Sequence, residues 1–238
     1  MSKLFFFALG LHYLCPRKVI ITMNKKFLIS FLLGALCTFS AFAQQVTELQ
    51  RTKSIFVYPD FCPGRVIQAF GRSVTDSVNI YYGDASLCFH RGDTIFKANL
   101  DGIYGLVIGD DEYKKVGTQM GRVVAKKGYN ALICVTEVDH RKLEAETTGG
   151  EKLPYFQIDD GPCIDLEREV WTQDEGWPLQ DKYYFQIRGG EIIPANQSKF
   201  KKFVRRDMKQ AFNRLMNDKF WSWKDPQNLS TLLIYLPE

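Results

Sequence analysis

The chain has 238 residues, and its 31 basic and 27 acidic residues give a formal net charge of +4. Five of the basic residues and none of the acidic ones lie in the first 43 positions, so the rest of the chain has 26 basic against 27 acidic residues, a net charge of minus one. The basicity therefore belongs to the N-terminal segment and gives no support for nucleic-acid binding. About 195 residues remain, enough for one large domain or two small ones with a hydrophobic core.

The N-terminal segment is typical of an export signal. Residues 23–43 begin with two lysines, continue with an uncharged apolar run and end in a small-x-small sequence at Ala43. This order predicts a cleavable secretory signal peptide, with Gln44 as the first residue of a periplasmic or extracellular protein that has no transmembrane segment. An uncleaved anchor is the alternative, because the 17 residues from Phe27 onward approach the length of a spanning helix. Residues 1–22 precede a second methionine, and we interpret them as an N-terminal extension from a start codon placed too early.

Four cysteines follow the predicted cleavage site. In an oxidising compartment an even number predicts two disulfides, and the spacing favours Cys62 with Cys88 and Cys134 with Cys163 among the three pairings. Buried free thiols are the alternative. The chain has no C-x-x-C sequence, so the pattern indicates neither redox catalysis nor a cysteine-rich zinc site.

We interpret residues 44–138 as a β-rich α+β region. Short aromatic and β-branched segments separated by Gly, Pro and Asp predict an antiparallel meander followed by a further strand. These segments are residues 54–58, 65–70, 78–82, 86–90, 94–98 and 103–108. Apolar residues from Tyr113 to Val124 then recur every three to four positions, which predicts a helix capped by Asp110 or Asp111 and ended by Gly128. Another strand is predicted at 129–135.

The second part of the chain has two regions. Residues 139–182 are polar, acidic and rich in Gly and Pro, which predicts a connection or a domain boundary. Residues 183–238 predict two strands joined by a Gly-Gly turn, a helix from Ser198 to about Asn217, and a closing strand at 229–236. We therefore expect an α+β fold in which helices pack on one face of antiparallel sheets, with a C-terminal ββαβ unit.

The C-terminal region resembles the C-terminal domain of TonB-like energy transducers. The matching features are the strand at 184–187, Gly190 to Ile192, the helix with Ala211 and Leu215, Trp223 to Pro226, and Leu232 to Pro237. The resemblance implies that an extended peptide or an envelope protein adds to an exposed sheet edge. The closing strand would be this edge, unless the apolar residues on both of its faces place it in the middle of the sheet.

The candidates for partner binding lie in the same region. Arg205 and Arg206 belong to a basic predicted helix, whose charge attracts acidic or polyanionic partners. Trp221 and Trp223 follow this helix and have rings that can stack on sugars. The structural alternative is a solvated helix face and two tryptophans that close the core.

The candidates for catalysis are the two histidines that remain after cleavage, His90 and His140, and the acidic pair Asp159 and Asp160. Their convergence would make a small secreted hydrolase with an acidic loop. No G-x-S-x-G, P-loop or G-x-G-x-x-G motif occurs, and the sequence predicts neither a cofactor nor a metal site. The leading hypothesis is therefore an exported binding or interaction protein, with the hydrolase as the alternative.

Overall fold

Antiparallel strands dominate this computed structural model, in which residues 50–148, 162–164 and 176–238 are described and contribute twelve strands. The strands lie in one sheet that curls into a half-barrel within the unit Leu49–Glu238. The predicted signal peptide at 23–43, the extension at 1–22 and much of the acidic part of the predicted connection lie outside the described residues.

The first part of the sheet is the meander that the sequence predicts. After the short strand β1, the strands β2 to β5 pair consecutively through hairpins. Their bounds are β1 Arg51–Thr52, β2 Cys62–Gln68, β3 Ser73–Tyr81, β4 Ser86–Arg91 and β5 Thr94–Lys97. The predicted strand at 54–58 is instead a loop, with one isolated β-bridge between Phe56 and Tyr81.

The helix predicted between residues 110 and 128 is wrong, because this segment forms a β-hairpin. The hairpin consists of β7 Asp111–Val116 and β8 Gln119–Lys127, and it lies between β6 Ile103–Ile108 and β9 Asn130–Val138. Gly117 turns β7 into β8 with a φ of 63°, a left-handed conformation that glycine adopts without steric cost. Tyr113 and Val116 are both buried but belong to different core clusters. Because side chains on both faces of the hairpin are buried, its apolar residues recur at the spacing expected of a helix.

The helices are short and concentrate at the C-terminus. The helix α1, His140–Thr148, lies in the predicted connection and is followed by strands β10 Cys163–Ile164, β11 Trp177–Ile187 and β12 Glu191–Pro194. The last two form the predicted hairpin. The remaining helices are α2 Gln197–Phe200, α3 Lys209–Met216 and α4 Pro226–Thr231.

Two C-terminal predictions are corrected. The long helix predicted from Ser198 is interrupted after α2, which Asn196 rather than Ser198 caps by accepting a hydrogen bond from the Lys199 amide. The closing strand predicted at 229–236 is helical, because Asp225 caps α4 and Pro226 occupies its first turn. The ββαβ unit and the candidate sheet edge at 229–236 are therefore absent from this described segment, and the fold is mainly β rather than α+β with helices on one face.

Two backbone hydrogen bonds join the turn between β3 and β4 to β8 and β9, which lie several strands away in the sheet. Along the sheet the strands lie in the order β1-β11-β9-β8-β7-β6-β2-β3-β4-β5-β10, with β12 beside β11. Beyond the end of β3, the carbonyl oxygen of Tyr82 accepts a hydrogen bond of 2.8 Å from the Val138 amide of β9. The Met120 amide likewise donates to the carbonyl oxygen of Ala85 at 2.8 Å. These bonds curl the sheet and give it an inner face.

The inner face has an apolar cluster at each end. One cluster joins β2, β3, β4 and β6 and includes Val66, Val78, Ile80, Leu87 and Leu106. The other packs the C-terminal helices against β9 and β11 and includes Leu132, Phe185, Phe200, Phe212 and Leu232. Between these two clusters the inner face carries polar side chains, and the candidate site lies there.

We predict that Gly64→Ala destabilises the curled sheet. A Cβ at this position would lie 2.3 Å from Cγ2 of Val78 and 3.0 Å from Cδ1 of Leu106. Overpacking of this kind lowers the free energy of unfolding by about 1–3 kcal/mol, which urea denaturation measures. The matched control is Gly190→Ala, whose Cβ would meet its nearest neighbour only at 3.8 Å. Equal stability of the Gly64→Ala and wild-type proteins would contradict the packing described for the inner face.

Candidate functional site

A cavity of about 440 Å³ opens on the inner face of the curled sheet. Strands β7, β8, β9 and β11 form its floor, and Val57, Ile80 and Tyr82 border it from the loop before β2 and from the end of β3. Cavities of this size commonly hold small ligands. Pro226 of α4 also contributes to the wall, so the C-terminal helices help to bound the cavity.

The floor of the cavity contains a row of four residues that cross the sheet. Tyr113 lies opposite Arg122, Arg122 lies opposite Cys134, and Cys134 lies opposite Tyr183. Because neighbouring strands lie about 4.8 Å apart, the row spans roughly 14 Å from β7 to β11. The register of three strand pairs therefore fixes the order of two phenols, one guanidinium and one thiol.

A carboxylate lies beside each end of this row. At the β7 end, the Tyr58 hydroxyl donates to Oδ2 of Asp111 at 2.8 Å and lies 2.8 Å from the Tyr113 hydroxyl. Nη1 of Arg122 lies 3.6 Å from Oδ1 of Asp111. These contacts hold Asp111 at the rim with only part of its hydrogen-bonding capacity used.

The loop that carries Tyr58 is held by a buried amide. The Asn79 side chain is 0% exposed; its Oδ1 accepts from the Tyr58 amide at 3.1 Å, and its Nδ2 donates to the Tyr58 carbonyl at 2.9 Å. A buried amide with these partners is satisfied and rigid. Asn79 therefore positions the Tyr58 hydroxyl over Asp111.

The second carboxylate is Asp181 on β11. Oγ1 of Thr136 donates to Oδ1 of Asp181 at 2.6 Å, and the Tyr183 hydroxyl lies 3.4 Å from Oδ2. Sγ of Cys134 lies 3.7 Å from Oγ1 of Thr136. Thus the β9 and β11 side of the cavity is a connected set of acceptors and hydroxyl donors.

Burial raises the pKa values of the thiol and the phenol groups in this site. Desolvation raises the pKa of Cys134 to about 12 and that of Tyr113 to about 12. It also raises the pKa values of Tyr58, Tyr82 and Tyr183, and the neighbouring carboxylates act in the same direction. The thiol and the phenols are therefore protonated at neutral pH.

Two groups in the cavity have unused donors. The Tyr82 hydroxyl has no hydrogen-bond partner among the residues that the structure describes, although Arg122 and Asp181 are close enough to influence its pKa. The Arg122 guanidinium is about half exposed, at 57%, and its contact with Asp111 uses only part of its five N–H groups. Both groups can donate to a molecule in the cavity.

The structure separates the predicted catalytic histidines. Nε2 of His140, at the start of α1, donates to the carbonyl oxygen of Gly83 at 2.8 Å. His90 is exposed near the far end of β4, against the ring of Phe61 at 5.4 Å. From the Gly83 turn, roughly 13 Å of strand leads to His90. The two histidines do not share a site, and Asp159 and Asp160 lie outside the described residues.

The predicted partner-binding residues have different environments. Trp221 and Trp223 pack against the C-terminal core cluster, and their rings meet edge to face at 5.9 Å. Arg205 forms an ion pair with Asp207, whereas Arg206 is exposed. The two tryptophans thus serve mainly as core residues, and the arginines lie on the surface.

The four described cysteines are free thiols rather than two disulfides. Cys62 and Cys88 lie on β2 and β4, which flank β3. Two strand spacings of about 4.8 Å separate them, which exceeds the distance of about 7 Å between Cα atoms that a disulfide tolerates. This pairing does not fit the strand order.

Within residues 50–148, 162–164 and 176–238, no cluster of three His, Cys, Asp or Glu residues is placed to hold a metal ion. In the same part of the chain, no helix has the length and apolar character needed to cross a membrane. Comparisons with protein-family models, with curated proteins and with solved structures find no match to this chain.

Most of the residues in the cavity are not identified by their sequence pattern. The pattern predicts Asp111 as a helix cap, Tyr113 as part of a helical stripe and Asp181 as part of a connection. A usable signal is the alternation of Asp181, Tyr183 and Phe185 on β11, which puts polar and aromatic groups on one face of a strand. Recognising this signal requires knowing that the face is concave.

We predict that thiol-reactive reagents distinguish the four cysteines. Cys88 and Cys134 are buried, at 0% and 7% exposed, with pKa values raised to about 12, so few thiolates form and the reagent has little access. Cys62 and Cys163 are half-buried. In mildly alkaline buffer, iodoacetamide should label these two at least about tenfold faster, as measured by peptide mapping. Protection of all four until reductant is added would instead demonstrate disulfides.

Proposed function

We propose that this protein is an exported binding protein whose cavity holds a small polyhydroxylated ligand of the saccharide class. The observation that carries the proposal is the composition of the cavity, in which two carboxylates flank a half-exposed guanidinium within a set of tyrosines. Export is the expectation from residues 23–43, and it would expose the cavity to ligands outside the cytoplasm.

The polar groups suit hydroxyl groups as partners. A sugar hydroxyl both donates and accepts hydrogen bonds, so it can bridge a carboxylate acceptor and a guanidinium donor. Asp111 and Asp181 supply the acceptors, and Arg122 and the Tyr82 hydroxyl supply the donors. Hydrogen bonds to charged groups are among the stronger ones in proteins.

The apolar groups of the cavity suit the apolar ring face of such a ligand. Tyr82, Tyr113 and Tyr183 border the cavity together with Met120 and Leu179. Aromatic rings present a large apolar surface with a polar end, which fits a molecule whose hydroxyl groups lie at the edge of an apolar ring face. Cavities with a few placed polar groups among apolar ones are typical ligand sites.

The protonation states favour binding over nucleophilic attack by the thiol. A cysteine acts as a nucleophile in its thiolate form. Burial of Cys134 raises its pKa to about 12, so at neutral pH the thiol keeps its proton. In this site Cys134 is a weak hydrogen-bonding partner of Thr136.

We predict that Asp181→Asn and Arg122→Leu each weaken saccharide binding. Each change removes a charged partner of a ligand hydroxyl, and loss of such a hydrogen bond costs about 1.5–3 kcal/mol, or roughly 10- to 100-fold in affinity. Isothermal titration calorimetry with a panel of neutral mono- and disaccharides measures the effect.

The matched control is Asp101→Asn, because the Asp101 side chain is 89% exposed and lies away from the cavity. Thermal denaturation establishes that all variants remain folded. The proposal fails if no saccharide in the panel binds, or if the two cavity variants bind it as tightly as the Asp101→Asn protein does.

A further inference from the structure

The charges of the predicted mature chain are divided between two parts. Residues 196–238, which we call the C-terminal cap, contain nine basic and four acidic residues, a net charge of plus five. Residues 44–195 contain 17 basic and 23 acidic residues, a net charge of minus six. The C-terminal cap therefore carries an excess of positive charge that attracts anions.

Most of the basic residues of the cap have no ion-pair partner among the residues that the structure describes. Among the nine basic residues, only Arg205 forms an ion pair within the part of the chain that the structure describes. The other basic residues of the cap are exposed: Lys199, Lys201, Lys202, Arg206, Lys209, Arg214, Lys219 and Lys224. Unpaired surface cations are available for an anionic partner.

The cap also presents an apolar side chain to solvent. Phe220 is 91% exposed and lies next to Lys219 in the loop between α3 and α4. The loop is held in place, because the Phe220 amide donates to Oδ1 of Asp218 at 3.0 Å and the neighbouring Trp221 packs inward against Trp223. The ring of Phe220 is thus exposed, while the next side chain packs inward.

We propose that the C-terminal cap binds an anionic phospholipid surface, with its lysines and arginines on the headgroups and Phe220 inserted among them. Clusters of unpaired basic residues are attracted to acidic lipids, and an exposed aromatic side chain adds apolar burial at the interface. A soluble polyanion would satisfy the cations but would leave Phe220 in water.

The test is cosedimentation of the full-length protein with vesicles of equal parts phosphatidylglycerol and phosphatidylcholine. Pure phosphatidylcholine vesicles should bind on the order of tenfold less protein. The double variant Lys201→Ala, Lys202→Ala should lose on the order of tenfold or more in affinity, and Phe220→Ser should lose on the order of tenfold. Both sites are exposed, so these variants should retain the wild-type melting temperature.

Matched controls use residues of the same type elsewhere on the surface. Phe70→Ser removes a phenylalanine that is 100% exposed at the turn between β2 and β3, and Lys53→Ala, Lys127→Ala removes two exposed lysines outside the cap. Both controls should bind vesicles as the wild type does. Equal binding to the two vesicle types overturns the proposal. So does a Phe220→Ser protein that binds like the wild type while heparin displaces it, which would assign the cap to soluble polyanions.

Discussion

The candidate site depends on the closure of the sheet between β3 and β9. Two backbone hydrogen bonds, from Val138 to Tyr82 and from Met120 to Ala85, bring elements together that lie far apart in the strand order. An open sheet would leave the polar row on β7, β8, β9 and β11 on a solvated face. Closure makes that face concave, and burial then raises the pKa values of the phenols and the thiol.

The two apolar clusters and the polar residues between them have different roles on the inner face. Packing in the clusters provides stability, because each square ångström of buried apolar surface contributes about 25 cal/mol. The middle of the face contains partly satisfied carboxylates and an exposed guanidinium, which add little to stability. Such groups are more easily explained by a ligand than by folding. The C-terminal cap contributes core residues to one of these clusters, and its outer surface carries the basic residues.

Much of the sheet could be predicted from the sequence, because alternation and turn residues locate strands such as β3, β4 and β9 directly. The hairpin of β7 and β8 was predicted as a helix, because both of its faces are buried and its apolar spacing then resembles a helical stripe. The apolar run from Leu232 to Leu236 fits a buried strand or a buried helix equally well from its pattern alone, and the Asp225 cap decides for the helix. The cavity could not be predicted, because it depends on a closure between residues more than fifty positions apart, such as Tyr82 and Val138.

Amide hydrogen exchange, followed residue by residue by NMR, tests the closure most directly. The amides of Val138 and Met120 donate to carbonyl groups outside their own strand ladders, so their protection reports on the curl rather than on the hairpins. We expect both amides to exchange as slowly as the amides in the middle of β9, because opening them requires breaking the core. Exchange at the rate of the exposed turns would show that the sheet is open, and would contradict the cavity and the site built on it.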